Sequence, residues 1–428
     1  MRFLYNLLTY LLLLPYAAYW LVRAVLNKSY RHKLGQRFGA GYPQLNRSIW
    51  IHAVSVGEVV AAAPLVRSLR RLYPQYPLLV TTVTPTGAAR VAALFGDDVH
   101  HAYIPFEMPV AIDAFFSAVN PAITLIMETE IWPNLYHGCG VRNIPLVLVS
   151  ARISPKSVDS YRKLLPLFRE TLSHGIVIAA QSKADAERFL SLGANPARTR
   201  VTGNIKFDIE LPEGIEERGG NLRKELFPDR PVWIAASTHD KEEGMILDAH
   251  LQLLGRHPDL LLILVPRHPD RFQAVLDLVG TTGLSVVSRT EQRPCEPGTQ
   301  VFFGDTMGEV TLFYAASDLA FVGGSLAPVG GHNLLEPAAL GVPIITGPYV
   351  FNSQEVVDSF MDKDACCMVA DKEELVTAVH DLLIHTDRAR EIGTRGLNIL
   401  HSSRGALKRL LDVIDPLLES QIKPAPLT

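Results

Sequence analysis

The chain has 428 residues, a formal net charge of −3 and 48% apolar residues. That length exceeds what one hydrophobic core supports, so two domains are expected, and the balanced charge argues against a nucleic-acid partner. Its four cysteines, Cys139, Cys295, Cys366 and Cys367, form no C-x-x-C pair, which disfavours a disulfide framework and fits a reduced, cytosol-facing location.

Residues 3–26 come first and are almost wholly apolar, interrupted by Asn6, Thr9, Pro15 and Arg23. Read as one helix they reach about 36 Å, enough for a bilayer. Arg2 stands alone before them, whereas Arg23, Lys28, Arg31, His32, Lys33 and Arg37 cluster behind, which places the C-terminal side in the cytoplasm. A cleaved signal peptide fits less well, because the basic n-region is weak and no A-x-A site follows. Pro15 and Arg23 also suit a helix lying in one leaflet, so a spanning and a monotopic anchor both stay open.

After the anchor, strands are expected at 49–53, 78–83, 122–127, 145–149 and 176–180. Helices fall between them at 58–72, 86–94, 110–119 and 183–192. This alternation implies a mostly parallel sheet. A polar stretch with Pro212, Gly214, Gly219 and Gly220 reads as a linker or linker-helix. The alternation then resumes, with strands at 232–236, 260–265, 284–287, 300–303, 319–322 and 342–346. An amphipathic helix over 406–418 closes the chain. The expected division is 1–33 for the anchor and its basic flank, 34–208 and 231–402 for two Rossmann-like domains, 209–230 for the linker, and 403–428 for the last helix and tail.

The chemistry gathers where strands end. His52-Ala53-Val54-Ser55-Val56-Gly57-Glu58 leaves the first strand, and Gly57 permits a tight turn into the helix. Glu58 there is either a general base with a pKa raised by burial or an acid favoured by the helix dipole. Met127-Glu128-Thr129-Glu130 puts two carboxylates at another strand end, able to work as acid and base, hold a metal, bind sugar hydroxyls or cap the helix after Pro133. Lys206 can neutralise an anion or be a surface lysine.

In the second half, Ser237, Thr238 and His239 precede a helix whose N–H groups suit phosphate. Pro266 and Arg267 follow a strand, and Arg267 offers a planar fork to an anion. Met307, Gly308 and Glu309 sit in a similar loop. The densest signal is FVGGSLAPVGGHNLLEPAALGVPIITGP over 321–348. Gly330 and Gly331 let backbone approach a ligand, Asn333, Leu334 and Leu335 open a short helix, and Glu336 can accept two ribose hydroxyls. G-x-G-x-x-G, G-x-x-x-x-G-K-[ST], H-E-x-x-H and G-x-S-x-G are all missing. The one D-x-D spacing, Asp362-Lys363-Asp364, reads as a solvated turn between helix and strand.

In order, SVGE (55–58), TPTG (84–87), METEIWPN (127–134), GNIKFD (203–208), STH (237–239), VPRHP (265–269), GDTMGE (304–309) and GGHNLLEP (330–337) run the length of the chain. With these motifs the chain resembles the 3-deoxy-D-manno-octulosonic acid (Kdo) transferases, which move Kdo from CMP-Kdo to the lipid A precursor. It departs from the family pattern at Asp240-Lys241-Glu242-Glu243, where a glycine is expected.

The resemblance implies an α/β GT-B fold, two Rossmann-like domains facing a central cleft, with an N-terminal membrane-anchor helix. It implies an inverting transfer to lipid IVA with CMP released, no cofactor and no metal. Glu58 would be the general base, and Glu128 and Lys206 would stabilise the transition state. CMP would lie against Pro266, Arg267, Met307, Gly308, Glu309 and the run Asn333, Leu334, Leu335 and Glu336, with Ser237, Thr238, His239, Gly330 and Gly331 as further donor contacts. The enzyme would sit on the cytoplasmic face of the bacterial inner membrane, among anionic headgroups. Two rivals are a GT-B enzyme using a UDP-sugar and another lipid, and a membrane-tethered nucleotide-binding module without catalysis.

Overall fold

The computed structural model describes residues 2–162 and 165–422. The chain forms two compact units, Met1–Asp208 with Ser403–Thr428, and Ile209–Ser402.

The first unit holds seven strands: β1 (Ser48–His52), β2 (Leu78–Thr82), β3 (His100–Tyr103), β4 (Pro121–Met127), β5 (Leu146–Ala151), β6 (Val177–Ala180) and β7 (Thr199–Val201). They pair in parallel in the order β3-β2-β1-β4-β5-β6-β7. The central strands are buried at every position because helices cover both faces. Alternation along β1 sends Ile49 and Ile51 into one apolar layer and Trp50 into the other. Strand order reverses beside β1, whose neighbours are β2 on one side and β4 on the other. A ligand crevice opens at the carboxyl ends of strands at such a point.

The second unit repeats the plan with β8 (Val232–Thr238), β9 (Leu261–Pro266), β10 (Val286–Ser288), β11 (Val301–Phe303), β12 (Leu319–Val322), β13 (Ile344–Thr346) and β14 (Cys367–Met368). Its parallel order is β10-β11-β9-β8-β12-β13-β14, so β8 and β12 flank the reversal.

The structure corrects or sharpens four expectations. Residues 3–26 are two helices, Arg2–Leu11 and Leu13–Leu26, bent by 46°; among the described residues no single helix is long and apolar enough to cross a membrane, while the bent pair together has the length and composition of a broken span. Pro15 accounts for the break, since it lacks the N–H that would bond to the carbonyl of Leu11. Three strands had no counterpart in the sequence reading: β3, β7 and β14. Each is an edge strand with exposed positions and lacks the apolar run of its neighbours. The stretch 209–230 is largely the helix Ile215–Leu226, which belongs to the second unit. Its Gly219 packs so closely that an added Cβ would lie 2.4 Å from the Ala315 side chain, and Arg223 grips Asp318 at 2.8 and 2.9 Å.

The C-terminal helix Ala406–Ile422 is the fourth difference, being part of the first unit's core rather than an appendage. Leu410, Ile414 and Leu418 are fully buried there. Asp208, the last residue of GNIKFD, accepts the backbone N–H of Gly405 at 2.7 Å and of Leu407 at 2.5 Å, which satisfies the start of that helix. Residues 423–428 of the expected tail lie outside the described residues. Asp362-Lys363-Asp364 does lie in a turn, between the helix Gln354–Met361 and β14. Leu410→Ala should lower the stability of the first unit by about 2–5 kcal/mol, measured by chemical denaturation, because it opens a cavity in a close-packed layer.

Candidate active site

In the first unit, the loops leaving β1 and β4 flank the strand-order reversal. The chain turns at Ser55 into the helix Val56–Leu72, and Glu58 occupies its first turn. Glu58 Oε2 accepts the N–H of Val54 at 2.8 Å, and the Ser55 hydroxyl donates to Oε1 at 3.4 Å. The carboxylate therefore does help to close the helix start. It is also mostly buried, and that desolvation, with Glu128 and Glu130 adding repulsion, pushes its pKa up to about 7; the Val54 N–H and Lys206 pull the other way. A carboxyl group poised near neutrality can accept a proton at working pH.

Glu128 follows β4 with a left-handed backbone, φ 55°, while its N–H still pairs with Val149 O at 2.9 Å. A non-glycine residue in that region costs about 1 kcal/mol or more, and the bend aims its side chain at Lys206. The Lys206 ammonium meets Glu128 Oε1 at 2.6 Å, and Arg152 lies 3.6 Å from Oε2. Lys206 is placed from behind by two contacts. Its N–H donates to Asn204 Oδ1 at 3.0 Å, and the N–H of Ile205 donates to the hydroxyl of Ser150 at 3.2 Å. Ser150 is itself left-handed, φ 49°, where β5 loses register with β6. Glu130 accepts from Trp132 Nε1 at 2.8 Å, and burial raises its pKa.

In the second unit the equivalent gap, between the ends of β8 and β12, is closed by a buried carboxylate. Glu242 is fully buried. Its Oε1 accepts the N–H groups of His239 at 2.8 Å and Gly324 at 2.6 Å, and its Oε2 accepts Leu326 N–H at 3.3 Å. Gly323 is required beside it, because a Cβ there would lie 2.7 Å from Ser237 O and 2.8 Å from Glu242 Oε1. His239 and His332 stack with ring centroids 5.0 Å apart, and their Nε2 atoms approach to 2.7 Å. Burial, with Arg267 and His268 nearby, holds both below the usual histidine range, His239 at about 4 and His332 at about 3. Both are therefore neutral at pH 7, and Arg267 supplies positive charge to the cluster. Asn333 donates to Glu336 Oε1 at 3.2 Å, and burial raises the Glu336 pKa.

A family described as 3-Deoxy-D-manno-octulosonic-acid transferase (kdotransferase) matches residues 32–209. The 3-deoxy-D-manno-octulosonic acid transferase of Haemophilus influenzae is 41% identical over 404 residues, 93% of this chain and 94% of its own. The chain belongs to the Kdo transferase family.

As a member of that family it is a glycosyltransferase. It is also similar to S. aureus MnaA in a structure with UDP, at 14% identity over 89% of this chain and 99% of that one, with a TM-score of 0.52. A likeness at that identity concerns the fold, here two α/β units of the GT-B kind. The C-terminal CMP-Kdo binding domain of WaaA from Acinetobacter baumannii is 35% identical and covers 44% of this chain and 99% of that one, with a TM-score of 0.43.

Of the residues singled out from sequence, Glu58, Glu128 and Lys206 are brought together in this Kdo transferase's first unit. In the second, Arg267, His239 and Glu336 share one electrostatic neighbourhood. Several others hold the loops in shape. The Thr238 hydroxyl donates to Glu243 at 3.2 Å, and the His239 N–H is taken by Glu242, so these groups do not form the phosphate-ready helix start that was expected. Both Gly330 and Gly331 donate their N–H to Gly324 O, at 3.1 and 2.7 Å. Glycine is needed at 330 because φ is 114° and a Cβ would lie 2.2 Å from Asn352. Leu334 and Leu335 are buried and leave only backbone for a ligand, Pro266 ends β9, and Ser237 adopts φ 59° at a bulge in β8. Glu309 is held by Arg289 at 2.9 and 3.1 Å, which lowers its pKa, while Met307 is exposed and Gly308 has φ 83°.

Glu242, Arg152, Ser150 and Arg289 had no place in the sequence-derived site. Glu242 lies in the stretch 240–243, where the resemblance led a glycine to be expected, and nothing local distinguishes its carboxylate from an ordinary helix-start acid. Glu242→Ala should lower the unfolding midpoint of the protein, since each buried amide left unpaired costs about 1–3 kcal/mol. Glu242→Gln keeps an acceptor oxygen and should lose less in the same measurement.

Proposed function

We propose that this chain transfers Kdo from CMP-Kdo to the lipid A precursor lipid IVA, with inversion, without a metal and with release of CMP, at the cytoplasmic face of the inner membrane. The observation that carries the reading is Glu58, a carboxyl group titrating near neutrality beside the Glu128–Lys206 ion pair.

Glu58 takes the proton from an acceptor hydroxyl. The oxygen bonds to the anomeric carbon of Kdo as that carbon's bond to the phosphate oxygen of CMP breaks. The electron pair leaves with the phosphate, so charge balances without a covalent enzyme intermediate. A single displacement of this kind inverts the anomeric centre. Lys206 offers a fixed ammonium to the negative charge that develops, and its 2.6 Å bond to Glu128 pre-organises it. In the second unit Arg267 is the cation for the single phosphate of CMP, and Glu336 the acceptor for ribose hydroxyls. A departing monophosphate carries less charge than a diphosphate, so one arginine and loop N–H groups can stand where other donors use a metal. The lipid acceptor accounts for an apolar N-terminal segment with a basic flank.

Glu58→Gln should keep CMP binding and lose turnover by about 10² or more; turnover equal to wild type overturns the assignment of the base. Because the base must be ionised, kcat/KM of the wild type should rise with pH through about 7 and level off above it, and this limb should vanish in the residual activity of Glu58→Gln. Incubation with in situ generated CMP-Kdo and lipid IVA in detergent with EDTA should add Kdo mass to the lipid by mass spectrometry. Release of CMP only with another lipid discards the acceptor, and restoration of transfer only by added divalent ions discards metal independence.

A further inference from the structure

His239 and His332 come from two different strand ends of the second unit, the loop after β8 and the glycine-rich stretch after β12. No step of the proposed transfer uses either ring. Yet the rings lie nearly parallel, 7° apart, and their Nε2 atoms approach to 2.7 Å. Both residues are half-buried, so protons from solvent can reach them.

The surrounding backbone is arranged to hold this contact. Glu242 Oε1 takes the N–H of His239 at 2.8 Å and that of Gly324 at 2.6 Å, which ties the two loops together. Gly330 and Gly331 then donate to Gly324 O, directly ahead of His332. Gly324 itself has φ 68°, and a Cβ there would lie 2.9 Å from His332 Cδ2 and 3.5 Å from His239 Cδ2. Only glycine lets both rings close over that position.

A neutral imidazole has one N–H and one lone pair. At 2.7 Å, one Nε2 must therefore carry a hydrogen and the other must accept it. A proton added at Nδ1 of the donating ring turns the contact into a charge-assisted N–H···N bond and leaves the spacing as it is. A second added proton would set two N–H groups face to face. The pair thus accommodates one extra proton, and its charge changes from zero to +1 without movement.

In the empty site that proton is disfavoured. Burial is the leading cause, and cations add to it: Arg267 and His268 act on both rings and Arg271 on His239, holding His239 at about 4 and His332 at about 3. His268 stands edge-on to His239 with centroids 5.2 Å apart. The carboxylates around the pair are committed elsewhere. Glu242 accepts backbone amides, Glu243 and Asp240 face Arg271 at 2.7 and 3.4 Å, and Glu336 accepts from Asn333 at 3.2 Å. What the cluster lacks is an anion, and a phosphate at Arg267 would supply one. One further negative charge at such close range raises a neighbouring pKa by about 2–3. That carries the pair from about 4 toward neutrality.

We propose that His239 and His332 act as one proton-accepting unit of the donor site: a phosphate dianion bound at Arg267 draws one proton from solvent into the Nε2–Nε2 contact, and the pair releases it when the nucleotide leaves. This rests on the donor-site reading above and adds the proton that accompanies the phosphate. It matches the transfer chemistry, because the single charge of the CMP-Kdo diester becomes two on CMP when the bond to Kdo breaks. Since occupation raises the pKa of the pair, its contribution to affinity is present at low pH and is lost as pH rises through the pKa of the occupied pair.

Isothermal titration of the full chain in detergent with CMP, at about pH 6.5 in buffers of different ionisation enthalpy, counts the protons taken up. The wild type should take up about half a proton or more per CMP beyond His239→Gln or His332→Gln, because losing either ring removes the shared site. Cytidine, which lacks the phosphate, should bring in none. Between pH 6 and 8 the affinity for CMP should fall in the wild type by about fivefold more than in either variant. His380→Gln breaks another histidine contact, that of His257 and His380 at 2.8 Å, ahead of β9, and should behave as the wild type does. Unfolding midpoints identify a variant that does not fold, and the other variant then carries the comparison. Equal proton counts in the wild type and a folded variant overturn the proposal, and so does a wild type that takes up no proton with CMP. Failure of the wild type to bind CMP at all overturns the donor-site reading as well.

Discussion

Parallel pairing with one reversal of strand order is the constraint on which both units depend. It sends every strand's carboxyl end to one edge and leaves a gap where the following loops part to opposite faces. In the first unit that gap lies between β1 and β4, so Glu58 and Glu128, far apart in sequence, come into electrostatic contact. In the second it lies between β8 and β12, and Glu242 fills it by gathering amides from both sides. The same architectural gap is thus lined with carboxylates in one unit and stapled shut by a carboxylate in the other.

The charge state of the site follows from desolvation more than from pairing. Burial is the leading cause of the raised pKa at Glu58, Glu130 and Glu336 and of the lowered pKa at His239 and His332. Each of these groups is pushed toward its neutral form. Lys206 and Arg267 are among the cations near them, which suits chemistry in which negative charge arrives with a phosphate. The stacked histidines add a polar, uncharged wall beside Arg267, and their close Nε2 contact requires one ring to donate to the other.

Polar groups buried in the body of the first unit also tie the N-terminal helices to it. Arg37 and Glu107 are buried ionisable side chains, and each gains a partner from the helix pair. Deleting the helices would remove these partners, so the apolar segment is part of the folded unit.

The central strands were legible in the sequence because, covered on both faces, they are continuous apolar runs. The ordered motifs were legible because glycine, carboxylate and arginine recur where those runs stop. Glu58, Glu128 and Lys206 could be named as candidates in this way, and so could the glycine-rich loop around Gly330. The edge strands β3, β7 and β14 could not be read, since pairing with a neighbour, rather than any local pattern, makes them strands. Nor could the 46° bend at the N-terminus, the place of the C-terminal helix in the first unit's core, the raised pKa of Glu58 or the bridging role of Glu242. Local spacing determines which segments can bury an apolar face and where the chain must turn. Burial depth, ion pairing and which backbone amides meet a given carboxylate arise from contacts between distant segments, and only the tertiary structure decided those.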